Sequence, residues 1–309
     1  MRLLLGKAVC PASCGEIVQG TIDDCNFLVT CPIALYTQVT VRLDGNVSTP
    51  TDCSGLDHSK TIQAVEKTLI YFGMENLKPH ISVNSNIPYG VGLSSSTADI
   101  TAACHATAQA LGERISDDAI ADIALSIEPS DGIMFPGAML FDHINGQWRK
   151  SLGKLPEMDV YIIDTGEQVD TWKFNNMKDL KQKNRQKEPA VRQAIDLTFK
   201  AFKKGDVKLL GDAMKISAVS HQPILFKPHL SDIIDLGDKY CAAGVNVAHS
   251  GSVMGLFFKK GYIVSQGFWN KIRDIMLNYD LTYRIIKTHT DNNGPRVVNL
   301  CDKFAIGRE

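Results

Sequence analysis

The spacing of apolar positions divides the chain into a strand-rich start, a helix of small residues, and a second half of helices interleaved with strands. Residues 3–11 and 27–43 are rich in Val, Leu, Ile, Thr and Tyr, which suits β-structure. From Ser59 to Phe72 the apolar side chains Ile62, Val65, Leu69, Ile70 and Phe72 fall close to helical spacing. Ile81, Val83 and Ile87 alternate along a strand at 79–87. A Gly/Ser loop at 88–96 then opens directly into a helix running to about Leu111. Ser116, followed by Asp117 and Asp118, marks another helix start, with acidic groups where the helix dipole favours them. That helix ends before Pro129.

Residues 138–165 read as strand, turn, strand, with Asn145-Gly146 as the hairpin signal and Val160-Tyr161-Ile162-Ile163 as an apolar strand. The polar, basic stretch 173–188 admits two readings, a solvated face or a mobile lid over a phosphate-bearing substrate. Pro189 opens a helix that runs to Lys204 and stops at Gly205. Further helices are expected at about 207–220, from Ser231 to Gly244, and near 267–278. Strand-like Val245-Asn246-Val247 precedes a second Gly/Ser loop at 250–255 and then Leu256-Phe257-Phe258. Strands near 282–288 and 296–299 close the chain. A boundary is expected near 150–170.

Composition narrows the classes. A chain of 309 residues, 44% hydrophobic and 22% charged, is large enough for one large or two moderate domains with a proper core. A formal net charge of -1 argues against a general nucleic-acid binder, which needs an excess of Lys and Arg. No apolar run approaches the roughly 20 residues that span a bilayer, and the apolar start is too short for a signal peptide. The expectation is a cytoplasmic protein with no nucleic-acid or membrane partner. Cysteines at 10, 14, 25, 31, 53, 104, 241 and 301 include no Cys-x-x-Cys pair, so small apolar packing explains them better than a metal or redox site.

The segment Ile87-Pro88-Tyr89-Gly90-Val91-Gly92-Leu93-Ser94-Ser95-Ser96-Thr97-Ala98 carries the most chemistry. Its glycines let a ligand approach the backbone. Its serines open a helix whose first N–H groups lack internal partners, which suits a phosphate. No Lys follows the glycines, so this is not a P-loop, and no third glycine completes a dinucleotide fingerprint. The order strand, Gly-x-Gly-Leu-Ser-Ser-Ser, helix resembles the central signature of the GHMP kinases, with Thr97 where a smaller residue is usual. Cys10-Pro11-Ala12-Ser13-Cys14-Gly15-Glu16-Ile17-Val18-Gln19-Gly20 is similar to the family's N-terminal motif, though Ser13 stands where some members carry lysine. The stretch from Gly244 to Gly255 is similar to its third, glycine-rich motif, with Val253 in place of a usual glycine. Within the family, the first motif looks most like that of the L-threonine kinases of cobalamin biosynthesis.

The resemblance implies an α+β, two-lobed fold, with an N-terminal βα lobe (1–155) carrying the phosphate loop. The C-terminal lobe (156–309) would combine helices with an antiparallel sheet, and the active site would lie in the cleft between the lobes. It implies ATP and Mg²⁺, with Pro88, Gly90, Gly92, Leu93, Ser94, Ser95, Ser96 and Thr97 around the nucleotide and Ser95 and Glu128 at the metal. L-threonine is the implied acceptor, with Ser13, Cys14, Gly15, Glu16, Gln19, Ser250, Gly251 and Ser252 on the substrate side in a loop beside the site. A carboxylate such as Glu16 can hold an α-ammonium, and an amide such as Gln19 a carboxylate or hydroxyl. Asp131 is the implied base or orienting group; the competing reading is that it caps a turn before Gly132. Homoserine or another hydroxylated amino acid is the alternative acceptor, and a non-catalytic nucleotide sensor the alternative class. His221, ending a helix, and His249 read as structural, Cys10 and Cys14 as thiols open to reagents beside the site, and a homodimer stays open as the assembly.

Overall fold

The computed structural model describes residues 4–44, 59–167 and 177–299. Its organising element is a hairpin longer than the sequence pattern suggests. Strand β1 (Leu4–Ile22) pairs antiparallel with β2 (Cys25–Asp44) across a two-residue turn. Asp23 and Asp24 form that turn with φ of 51° and 60°, the left-handed values a tight hairpin requires. The expected substrate-side loop carrying Glu16 and Gln19 is therefore strand. Nearly every side chain from Ala8 to Thr21 is buried, so both faces are covered and the alternation that reveals a half-exposed strand is absent. Register shifts near Ala12, Glu16 and Val18 mark bulges that re-aim side chains there.

Among the described residues there are two antiparallel sheets and seven α-helices. The first sheet has the order β10-β1-β2-β4-β5, with β3 (Lys78–Ser85) also on β2. Here β4 is Ala138–Phe141, β5 is Arg149–Gly153 and β10 is Arg296–Val297. The second sheet has the order β7-β8-β6-β9, from β6 (Met158–Asp164), β7 (Gly244–Val247), β8 (Met254–Lys259) and β9 (Arg284–His289). The helices are α1 (Ser59–Tyr71), α2 (Ser95–Leu111), α3 (Asp117–Leu125), α4 (Leu180–Lys204), α5 (Val207–His221), α6 (Leu230–Lys239) and α7 (Gln266–Asn278). No helix among the described residues is long and apolar enough to cross a membrane.

Small residues in α2 have a packing reason. A Cβ on Gly6 of β1 would lie 1.9 Å from the Ala106 carbonyl oxygen, so strand and helix touch backbone to backbone. Ser116 caps α3 as expected, its Oγ accepting from Ala119 N at 3.2 Å.

Three expectations are corrected. The helix expected from Pro189 begins at Leu180 and carries Pro189 in its interior. The described part of the basic stretch is thus the start of α4, anchored to the hairpin tip by Arg185 on Asp24 and Arg192 on Asp23; residues 173–176 lie outside the described residues. The helix expected from Ser231 to Gly244 stops at Lys239, because Cys241 turns to a φ of 59° and Gly244 already starts β7. The last strand is short and returns to the first sheet, where Val297 pairs with Ala8.

Candidate active site

The loop leaving β3 is held by buried Ile87, Val91 and Leu93, and its glycines take φ of 76° (Gly90) and 91° (Gly92). A Cβ on Gly92 would stand 2.5 Å from the Ala248 Cβ and 2.9 Å from the Gly251 Cα. The second Gly/Ser loop therefore packs directly on the first, and Val253 N donates to Val91 O at 3.3 Å. Ser13 N donates to Leu93 O at 3.3 Å, so β1 joins the same junction. Three segments separated by up to about 240 residues in sequence meet here.

Ser94 precedes α2 in the left-handed region, φ 59°, and its hydroxyl donates to Asp131 Oδ2 instead of capping the helix. Ser96 Oγ donates to Glu128 Oε1, and Lys60 of α1 forms an ion pair with the other oxygen of Glu128. Asp131 N donates to Thr97 Oγ1 at 3.4 Å. The Asp131 side chain makes no capping bond to the turn at Gly132–Met134, so the turn-cap reading of this residue fails. Burial, together with the nearby Glu128 charge, pushes the Asp131 carboxyl above its ordinary range, while the Ser94 hydrogen bond pulls it back.

These groups wall a cavity of about 380 Å³. Of the residues singled out from sequence, Gly90, Gly92, Leu93, Ser94, Ser95, Ser96, Thr97, Glu128, Asp131, Glu16 and Ser250 line it. Pro88, Ser13, Cys14, Gly15, Gln19, Gly251 and Ser252 do not, and most of these tie its walls together. Ser13 Oγ accepts from Cys31 N at 3.0 Å, and Cys14 O accepts from Asn246 Nδ2 at 2.6 Å. Gly15 lies so close to Val247 that a Cβ would stand 2.8 Å from its carbonyl oxygen. Gln19 Oε1 accepts from His249 Nδ1 at 2.8 Å, and its amide donates to Val247 O at 3.2 Å. Gly251 abuts Val91, and Ser252 Oγ donates to Asp164 Oδ1 at 3.1 Å.

Cys10 and Cys14 are fully buried and burial pushes both thiols up, so the expected sensitivity to thiol reagents is corrected: neither presents a thiolate at neutral pH.

Sequence reading missed Lys60, Thr61, Tyr89, Asp99, His143 and, as a cavity residue, His249, all of which line the space. Asp99 accepts from Tyr89 OH at 2.7 Å and Thr37 Oγ1 at 2.5 Å. Tyr89 and Asp99 flank the Gly/Ser motif, so their proximity was the available signal; His143 carried none. Behind the cavity, Lys187 is buried, which pushes its ammonium down to about 7, and it donates to His221 Nδ1 at 3.1 Å. His221 Nε2 in turn donates to His249 O at 2.9 Å.

Comparison with known proteins agrees with this geometry. Residues 59–139 match the model of the GHMP kinases N-terminal domain, and residues 198–264 that of the GHMP kinases C-terminal domain. An L-threonine kinase from Salmonella typhimurium is 32% identical over 256 residues, covering 82% of this chain and 83% of that protein. This chain belongs to the GHMP kinases. An L-threonine kinase from Citrobacter freundii is 31% identical over 257 residues, covering 83% of this chain and 87% of the relative. The fold of homoserine kinase from Cytophaga hutchinsonii superposes with a TM-score of 0.70 over 95% of this chain and 97% of that one, at 17% identity.

As an ATP-dependent kinase of this family, the protein has a loop suited to a nucleotide without a lysine-rich surface. Backbone N–H groups at the start of α2 and positive-φ glycines form a surface that suits phosphate. The hard oxygen donors of Glu128 and the adjacent serines suit a magnesium ion. Lys60 forms an ion pair with Glu128 at this place.

Proposed function

We propose that this GHMP kinase transfers the γ-phosphoryl group of ATP to the side-chain hydroxyl of L-threonine, giving L-threonine O-3-phosphate for the aminopropanol linker of cobalamin. The observation that carries the reading is the 31–32% identity over more than four-fifths of the chain to two L-threonine kinases. Homoserine kinase shares the fold at 17% identity, which supports the alternative acceptor less well. The lobes are read as 1–155 and 156–309, with the phosphate loop in the first and the loop that packs on it in the second.

In this reading the loop from Gly90 to Thr97 and the start of α2 hold the triphosphate. Glu128 with Ser95 and Ser96 would hold Mg²⁺, which when bound neutralises charge on the transferring phosphates. Asp131 lies among these groups, with Ser94 orienting its carboxylate. It accepts the proton of the threonine hydroxyl, or orients that hydroxyl, as the oxygen attacks in line with the phosphoryl group. Glu16 takes the α-ammonium; burial and the neighbouring Asp131 push its carboxyl above its ordinary range, and a bound ammonium would offset both by favouring the charged form.

ADP release with Mg-ATP and L-threonine, L-homoserine, L-serine or mevalonate tests the proposal. Threonine is expected to have the highest kcat/KM, with a phosphomonoester product. Turnover of homoserine without threonine would replace the acceptor, and turnover of none would favour the sensor. Glu128→Gln is expected to weaken the apparent magnesium affinity about 10–100-fold, read by titrating Mg²⁺ at fixed ATP; an unchanged activation curve would remove Glu128 from the metal site.

A further inference from the structure

Two buried side-chain atoms of cavity-lining residues are left without hydrogen-bond partners among the described residues. Glu16, on the bulged part of β1, is 4% exposed, and His143, just after β4, is 5% exposed. Both line the cavity, and buried atoms of both, Glu16 Oε2 and His143 Nδ1, are unsatisfied. A buried, unsatisfied polar group costs about 1–3 kcal/mol, so two such groups in side chains that line one cavity point to a ligand that satisfies both.

The chemistry of that molecule follows from the polarity of the wall. Glu16 feels the charge of Asp131, and an ammonium beside the two carboxyls would offset that repulsion. His143 lines the same cavity. Its ring meets that of His249 at 5.0 Å between centroids, and His249 is held by Gln19. The Lys187 ammonium acts on His143 and His249 from behind. Asp142, the carboxylate nearest His143 in sequence, is occupied by the backbone N–H groups of Ile144, Asn145 and Gln147. Burial keeps the His143 imidazole neutral, its pKa pushed down to about 4, so it offers one N–H donor and one lone pair. His143 is also tied to the catalytic loop, because Ser130 N donates to His143 O at 3.0 Å.

We propose that His143 is a specificity-determining residue for the acceptor, its imidazole N–H holding the α-carboxylate while Glu16 takes the α-ammonium. The site then selects zwitterionic amino alcohols over alcohols that lack either charge. This rests on the acceptor reading above and goes beyond it by naming the residue that reads the carboxylate.

The test compares L-threonine with L-threoninol, in which the carboxylate is reduced to a hydroxymethyl group, by steady-state kinetics and by calorimetry with the protein loaded with Mg²⁺ and a non-hydrolysable ATP analogue. His143→Phe is expected to raise KM for L-threonine roughly 10–100-fold, with KM for ATP and the affinity for threoninol unchanged. His143→Asn, which keeps an N–H donor near the Nδ1 position, is expected to recover most of the loss. Parallel weakening of threonine and threoninol, or no recovery in the Asn variant, would overturn the assignment and leave His143 a packing residue. Should wild-type enzyme bind L-homoserine or L-serine in place of threonine with the same dependence on His143, the threonine reading falls and the carboxylate site stands. Binding of no zwitterionic amino alcohol would overturn both.

Discussion

Asp131→Asn is expected to lower kcat by about 10²–10⁴-fold while leaving ATP affinity within about twofold. The side chain sits beside the phosphate loop, accepts a hydrogen bond from Ser94 and makes no bond that caps its own turn. Asn keeps the shape and the acceptor toward Ser94 but cannot take a proton. The pH dependence separates this from a packing defect. Burial and Glu128 raise the Asp131 carboxyl, so wild-type activity falls as pH drops through that raised value, at higher pH than for an ordinary carboxylate. The Asn variant lacks this acid limb. Stability moves the other way. A carboxyl whose folded pKa lies above its unfolded value, about 4, binds its proton more tightly in the folded state. Stability is therefore lost as pH rises from the unfolded value through the folded one, and Asn removes that loss. Asp131→Asn should melt no lower than wild type at neutral pH. Equal loss of nucleotide binding, or a lower melting temperature, would show that Asp131 holds the loop together and does not serve the reacting hydroxyl.

The second large effect is expected at Gly251. An alanine there would place its Cβ 2.1 Å from Val91 O, 2.4 Å from Val91 C and 2.5 Å from Gly92 Cα. All three are backbone atoms, so no side chain can rotate away. Either the loop at 88–94 shifts or the loop at 248–253 does. Overpacking of this kind costs about 1–3 kcal/mol, and either shift alters the contact that shapes the loop proposed to cradle the triphosphate. Gly251→Ala should therefore lose both ATP affinity and melting temperature, measured by calorimetry and thermal unfolding. Gly267→Ala on α7 serves as the control, because the nearest atom to its added Cβ is the Tyr240 hydroxyl at 3.4 Å. Wild-type nucleotide affinity in Gly251→Ala would mean that contact between the two loops does not shape the phosphate site.

The two variants probe parts of the site that differed in legibility. The phosphate loop was readable because its signals are local: an alternating strand, two glycines, three serines and a run of small residues follow one another within about 30 positions. The serine run and the two carboxylates at 128 and 131 could be named, but the pairing of Ser94 with Asp131 and of Ser96 with Glu128 could not. Bonds across 37 and 32 residues depend on how the α2–α3 segment folds back. The N-terminal motif was misread as a loop for a different reason. Its strand is buried on both faces, so Glu16 and Gln19 look like turn residues although they sit in β1. Pro189 misled because a helix can carry proline when neighbouring elements hold it, here through the arginine contacts to Asp23 and Asp24.

By itself the sequence determined the elements whose cause is local: the Gly/Ser loop, the small-residue helix that β1 can approach closely, and the capped start of α3. Only the tertiary structure decided which groups line the cavity. Glu16, Asp131, His143 and His249 come from four segments, and the 230 residues between Gln19 and His249 close into a 2.8 Å hydrogen bond. Such closure depends on how two sheets and seven helices pack together, and no local pattern of residues encodes that.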